Sequence, residues 1–321
     1  MTASRTVDLT VLGETMATLV PDHVGPLRHA RTLGMTVAGS ESTVAIGVRR
    51  LGCSAAWIGR VGDDELGRLV MSRLRGEDLE VHAVLDGAAP TGLMLKEQPV
   101  SGSRSVHYYR SGSAGSRLRP ADLPDGLVES SRAVHSSGIT SALSAEAART
   151  VRSALSRARA AGATVSFDLN YRSRLWSAEE ARAELLQLLP LVDVLFASDD
   201  EASLLTQRPA ASPEENAQEL LSRGPSTVVV TMGAAGALSV GPAGTTRAPA
   251  LAVRAVDPVG AGDSFVAGYL AALLMGSTEE ERMATAAAVA GVCVATHGDW
   301  EGLPDRSALA FAQAPAGTVA R

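Results

Sequence analysis

The stretch Asp257-Pro258-Val259-Gly260-Ala261-Gly262-Asp263-Ser264-Phe265 decides the reading of this 321-residue chain. Pro258 fixes its own φ and keeps a helix from starting earlier. Gly260 and Gly262 allow close backbone approach and dihedrals closed to other residues. An apolar run, Gly262–Met275, follows at once and predicts a helix. A Gly-rich turn feeding a helix N-terminus is an anion site, because unpaired N–H groups and the helix dipole point the same way. Asp263 in that first turn has two readings. It can cap the helix, or it can accept a hydroxyl proton while the neighbouring amides stabilise a transferring phosphoryl group.

Upstream of this turn the chain alternates between short β-branched runs and Ala-rich helical segments. Strands are expected at Val7–Leu12, Ala55–Val61, Ala133–Ser136, Thr164–Asp168, Val192–Phe196 and Thr227–Thr231. Helices are expected at Ser42–Leu51, Glu65–Arg75, Ala145–Ala160, Ala178–Leu189, Asp200–Leu205, Pro213–Leu221, Gly262–Met275 and Thr278–Thr296. That alternation predicts an α/β fold on a mostly parallel sheet. Two segments break it. Residues 15–37 carry Pro21, Gly25, Pro26 and Gly34 between β-prone pieces, and residues 92–112 alternate like a hairpin about a Ser101-Gly102-Ser103 turn. Both are expected to contribute strands of a small sheet that projects as a lid from a single domain spanning 1–321; long loops are the other reading.

Composition narrows the function classes. Net charge is −6, from 29 basic and 35 acidic residues, with no basic run, which argues against a nucleic-acid partner. The only lysine is Lys96, so no GK[ST] phosphate loop exists, and anion binding falls to Arg, backbone amides or a metal. Its place in the hairpin segment suggests no catalytic role. The apolar runs are too short to span a bilayer, Cys53 and Cys293 lie in apolar helical contexts, and the start of the chain carries no signal-peptide core. A cytoplasmic protein with buried free thiols is the expectation.

The Asp257–Phe265 segment resembles the C-terminal signature of the ribokinase-like (PfkB) carbohydrate kinases. Ala38-Gly39-Ser40-Glu41-Ser42-Thr43-Val44-Ala45 resembles the N-terminal Gly-Gly motif of that family, and Gly59-Arg60-Val61-Gly62-Asp63-Asp64-Glu65-Leu66-Gly67 its following block. The resemblance implies a central sheet flanked by helices, a small β lid, and ATP-dependent phosphorylation of a hydroxymethyl group. Asp263 would be the base, with Gly260, Ala261 and Gly262 as the anion hole.

Within the family, the resemblance is to 2-keto-3-deoxygluconate kinases. It is carried by Thr91-Gly92-Leu93 with Lys96-Glu97, Tyr108–Ser116, Phe167–Arg172 with Leu175-Trp176, and Gly298–Pro304. It implies that Gly39 approaches the substrate through its backbone and that Tyr108 and Arg110 contact the keto-acid end. Arg172 would lie beside substrate and ATP phosphates, Asp299 would bind a hydroxyl, and Thr43 and Met94 would line the sugar pocket. Arg suits such recognition because its fork matches a carboxylate. Taken alone, Tyr108 and Arg110 also fit a solvated strand face, and Asp299 a turn cap.

On the nucleotide side, Thr231, Gly233 and Gly236 resemble the family's nucleotide turn, although a hairpin uses the same residues. Ser198 and Glu201 occupy the place of a motif that helps position magnesium and phosphate, and they also spell a capping box. Asn170 joins the expected ATP contacts. Mg²⁺ would be held through water and phosphate oxygens, with no protein cage of ligands. Two positions depart from the pattern: Thr43 stands where Asn is usual, and Met94 replaces an aromatic. They keep open a kinase of a neutral sugar (fructose, ribose) or a nucleoside. A non-catalytic sugar-binding protein on the same fold is the alternative from another class. The open lid edges suggest a homodimer.

Overall fold

A computed structural model describes residues 6–100, 105–253 and 256–313. The Ser101-Gly102-Ser103 turn lies outside the described residues. Thirteen strands are described: β1 (Val7–Leu12), β2 (Met16–Pro21), β3 (Leu33–Ala38), β4 (Ala55–Gly62), β5 (Glu80–Asp86), β6 (Leu93–Glu97), β7 (Ser105–Tyr109), β8 (Ser131–Ser137), β9 (Thr164–Asp168), β10 (Val194–Ser198), β11 (Thr227–Thr231), β12 (Ala237–Gly241) and β13 (Gly244–Ala248). Nine of them form one sheet in the order β13-β12-β11-β10-β9-β8-β1-β4-β5, parallel except where the β11–β12–β13 meander runs antiparallel.

Residue alternation explains the layers. In β1, Leu9 and Val11 pack into one apolar cluster while Leu12 enters the other; in β4, Trp57 faces the first and Ala56 and Ile58 the second. Each face is covered by helices. Ser40–Arg50, Glu65–Gly76, Ala261–Leu274 and Glu279–Val294 supply one cluster, and Ala145–Ala160, Ala178–Leu188, Asp199–Thr206 and Pro213–Leu221 the other. Burial on both sides is why the central strands read as nearly continuous apolar runs.

The remaining strands make a second sheet, β3-β2-β6-β7, built from the two segments that broke the βα alternation. β2 runs antiparallel to β3 and parallel to β6, which pairs antiparallel with β7. Its own apolar cluster is small, Met16, Ala38 and Met94 with Val106 against them, while Val37 packs into a cluster of the main body.

The sheet order reverses direction beside β1, with β4 and β5 on one flank and β8 to β11 on the other. Open α/β sheets bind ligands at such switch points, outside the carboxyl ends of their strands. The lid segments leave the body there, directly after β1 and β5. Both cysteines are buried and free, and among the described residues no helix is long and apolar enough to cross a membrane.

Candidate active site

The Ala261–Leu274 helix begins at Gly260, whose φ of +81° lies in the left-handed region. A side chain there would also collide with the carbonyl oxygen of Asp299, so the position demands glycine twice over. Gly262 has open space before it. The Ala261 N–H turns back to the Pro258 carbonyl at 3.3 Å. Gly262 and Asp263 therefore carry the first-turn amides that lack an intrahelical acceptor.

Asp263 is held from two other elements. Ser40, the first residue of the Ser40–Arg50 helix, donates its hydroxyl to Asp263 Oδ1 at 2.6 Å. Asn170, just beyond β9, donates Nδ2 to Ser40 Oγ at 2.9 Å and to Asp263 Oδ1 at 3.4 Å. Asn170 adopts a left-handed backbone with φ of +37°, a conformation Asn tolerates better than most residues. Its own N–H donates to Asp168 Oδ1 at 3.2 Å. Burial pushes the Asp263 carboxyl above its ordinary range; the Ser40 hydrogen bond and Arg172 oppose that, while Asp299 and Glu201 add to it. Asp168 is pushed up still further by burial, then by Glu201 and Asp263.

These groups open on one cavity of about 460 Å³. Its wall includes Gly260, Ala261, Gly262 and Asp263 from the helix start, Asn170 and Arg172 from beyond β9, Ser198, Glu201 and Thr231 from the ends of β10 and β11, and Val106 and Tyr108 from the lid. Glu201 accepts from the Ser198 N–H at 2.8 Å and from the Tyr171 N–H at 2.7 Å, so its capping box also ties the post-β9 loop to the β10 helix.

The other expected residues, Gly39, Thr43, Met94, Arg110, Asp299, Gly233 and Gly236, are not in the wall of this cavity. Gly39 is the cap before Ser40, and Thr43 is buried in the same helix's first turn, its N–H donating to the Gly39 carbonyl at 2.9 Å. Met94 is buried directly opposite Tyr108 on the lid. Arg110 follows Tyr108 and lies over its ring at 5.8 Å, but its Nε donates to buried Glu14 at 2.7 Å. Its charge is therefore already met inside the protein. Asp299 pairs with Lys96 of β6. Gly233 and Gly236, both with positive φ, form the tight turn of the β11–β12 hairpin and are not part of the cavity wall.

Ser40 and Glu14 were not singled out from the sequence, and Lys96, noted there as the only lysine, was given no catalytic role. Glu14 follows β1 at the carboxyl end of a parallel strand, which is itself a pointer to a site. Lys96 stands two residues after Met94, on the same face of β6. Ser40 sits in a quoted motif, yet nothing local tells that its hydroxyl meets a carboxylate 223 residues away.

Comparison with known proteins decides the family. The model of the pfkB family carbohydrate kinases matches residues 7–306. The chain belongs to that family. It is 38% identical over 308 residues to a 2-dehydro-3-deoxygluconokinase of Thermoproteus tenax, covering 94% of this chain and 93% of the relative. It is 37% identical over 295 residues to a 2-dehydro-3-deoxygalactonokinase of Haloferax volcanii, covering 92% and 93%. The crystal structure of a PfkB protein from Polaromonas sp. JS666 superposes with a TM-score of 0.87 at 35% identity, over 95% of this chain and 99% of that one. The kinase is thus a sugar phosphotransferase with an alcohol group as acceptor, on a ribokinase-like fold.

Proposed function

We propose that this kinase transfers the γ-phosphoryl group of ATP to the hydroxymethyl group of a 2-keto-3-deoxy sugar acid, the gluconate or its galactonate epimer. The observation that carries the chemistry is Asp263: a carboxylate at the head of a helix, hydrogen-bonded by Ser40 and Asn170, on a cavity wall with first-turn amides. The substrate hydroxyl gives its proton to Asp263 as its oxygen attacks the γ-phosphorus and the bond to the β-phosphate oxygen breaks. The Gly260–Gly262 turn and Arg172 meet the charge on the transferring group. The open approach at Gly262 and the helix N-terminus fit a nucleotide phosphate. Among the described residues no group of three or more His, Cys, Asp or Glu is arranged to hold a metal ion. Mg²⁺ arriving on the phosphates would be held at Glu201 through water and would supply positive charge beside them.

Gly39, Thr43, Met94, Tyr108, Arg110, Arg172 and Asp299 form the sugar side of this reading, and Asn170, Arg172, Ser198, Glu201, Thr231, Gly233 and Gly236 the nucleotide side. The relatives named for gluconate and galactonate forms, at 38% and 37% identity, support the substrate class. One observation favours a second reading, a neutral sugar such as fructose: the pairing of Arg110 with Glu14 leaves less positive charge for a carboxylate. A coupled ADP-release assay over both keto acids, fructose and ribose separates the two. The keto acids should give the highest kcat/KM; a higher value for fructose or ribose overturns the proposed class.

The outward lid face suits a homodimer. Leu33, Met35 and Tyr109 are exposed there, and the strand register sets Leu19 beside both Met35 and Leu95. The two free cysteines accord with a reducing cytoplasm.

A further inference from the structure

Lys96 is the chain's one lysine, and it is buried: its side chain is 9% exposed and that of its partner Asp299 11%. The pair joins β6 of the lid to the loop that follows the Glu279–Val294 helix. Two further contacts tie the same loop to the lid. Thr36 donates to Glu301 Oε1 at 2.6 Å, and Trp300 Nε1 donates to the Val37 carbonyl at 2.9 Å. On the other side, the carbonyl oxygen of Asp299 packs against Gly260 at the start of the phosphate-facing helix. The register places Lys96 opposite Val106 and Met94 opposite Tyr108, so these four side chains share the lid face turned to the cavity. The lid, Asp299 and the Gly260 turn are therefore mechanically continuous.

We infer that Lys96 is a positioning residue for sugar recognition: it holds the Asp299 carboxylate in one orientation, Oδ1 to the ammonium, so that the other oxygen is presented to a substrate hydroxyl when the lid is shut. The inference rests on the reading of Asp299 as a sugar ligand. A carboxylate buried this deeply without a cation tends to take up a proton and lose acceptor capacity. Burial pushes Asp299 above its ordinary range, as do Glu301 and Asp257, and Lys96 is the group that opposes them. Ion pairing across lid and body also makes Asp299's geometry depend on closure, so an incompletely closed enzyme binds the sugar poorly.

The test is a set of steady-state measurements on Lys96→Met, Lys96→Arg, Asp299→Asn and the Lys96→Met/Asp299→Asn double variant. Lys96→Met should raise KM for the sugar about tenfold and leave KM for ATP within about twofold, because the lost interaction concerns sugar binding alone. Lys96→Arg, which retains the charge and survives if the Met variant folds poorly, should recover part of the loss. In the Asp299→Asn background, Lys96→Met should add little, since the two act as one unit. Equal rises in both KM values, or effects that multiply in the double variant, overturn the inference. So does a normal sugar KM in Lys96→Met alongside a raised one in Asp299→Asn. A normal sugar KM in Asp299→Asn overturns instead the reading of Asp299 beneath it.

Discussion

The two sheets of this kinase are held by different forces. The nine-stranded sheet is buried on both faces, by Leu9, Trp57 and Phe265 on one side and Ile58, Leu155 and Phe167 on the other. The lid sheet has a separate apolar cluster of only three buried residues, Met16, Ala38 and Met94, and several of its ties to the rest are polar: Lys96 to Asp299, Thr36 to Glu301, and Arg174 to the Val106 carbonyl at 2.9 Å. Apolar burial is non-directional and sums over large areas, whereas a hydrogen bond or ion pair exchanges with water at small net cost. A body built the first way is expected to be rigid, and a small sheet fastened the second way to be the more readily displaced. The division of labour follows: Asp263 and the Gly260–Gly262 turn stand on the body, while Met94, Tyr108 and Lys96 ride on the lid.

The sharpest test of that division is Asp263→Asn. The substitution removes the proposed base from the rigid part, so kcat should fall by roughly 10²–10⁴ with the fold intact. Its effect on stability has a definite sign. Burial raises the Asp263 pKa in the folded state, so its ionised form costs stability as pH rises through that raised value. The Asn variant should then melt at the same temperature or higher near neutral pH. Near-normal kcat removes Asp263 from the base role, and a lowered melting temperature makes it a structural residue.

A smaller effect separates the two sheets directly. Leu155→Ala, on a helix covering the body sheet and outside the cavity wall, should cost about 3 kcal/mol in denaturant unfolding. Met94→Ala truncates a residue of the sparse lid core and should cost about 2 kcal/mol, the low end for such a truncation, because a thin layer collapses or hydrates more readily than a packed interior. It should nevertheless raise the sugar KM severalfold where Leu155→Ala leaves it unchanged. Equal unfolding costs would place the lid within the body's cooperative core and break the contrast.

The same division explains what could be read in advance. Val7–Leu12, Thr164–Asp168 and Thr227–Thr231 were expected as strands and are β1, β9 and β11 with those bounds, because doubly buried parallel strands are unmistakable apolar runs. β5, at Glu80–Asp86, escaped notice because it is the edge strand and half exposed, so its pattern is mixed. The β12–β13 hairpin escaped because Gly241 and Gly244 dilute two five-residue strands. Asp263, Asn170, Arg172, Glu201 and Thr231 line one cavity, and each lies at or just beyond a strand end or at a helix start that a motif marks. Lys96 and Glu14 were not legible in that way. A charge in an alternating hairpin, as Lys96 is, or in a short connection, as Glu14 is, looks solvated until its partner is known, and those partners lie 203 and 96 residues away.

The smallest expected effect concerns Ser40, which brings the Ser40–Arg50 helix into contact with the proposed base. Its hydroxyl donates to Asp263 Oδ1 and thereby favours the charged carboxylate, against burial and against Glu201 and Asp299. Ser40→Ala removes that donor and leaves Asn170, at 3.4 Å, as a weak substitute. The folded pKa of Asp263 must then rise further. Because the base works only when ionised, the acid limb of the kcat profile should move to higher pH by about one unit, the shift expected for one hydrogen bond to a charged group. Well above that limb kcat should return to near its normal value, since the base remains in place and has become stronger. Ser40→Thr, which restores a hydroxyl, should return the limb toward its original position. A uniform drop in kcat at all pH values would assign Ser40 to packing, and an unshifted limb would mean that its hydroxyl does not hold the base during turnover.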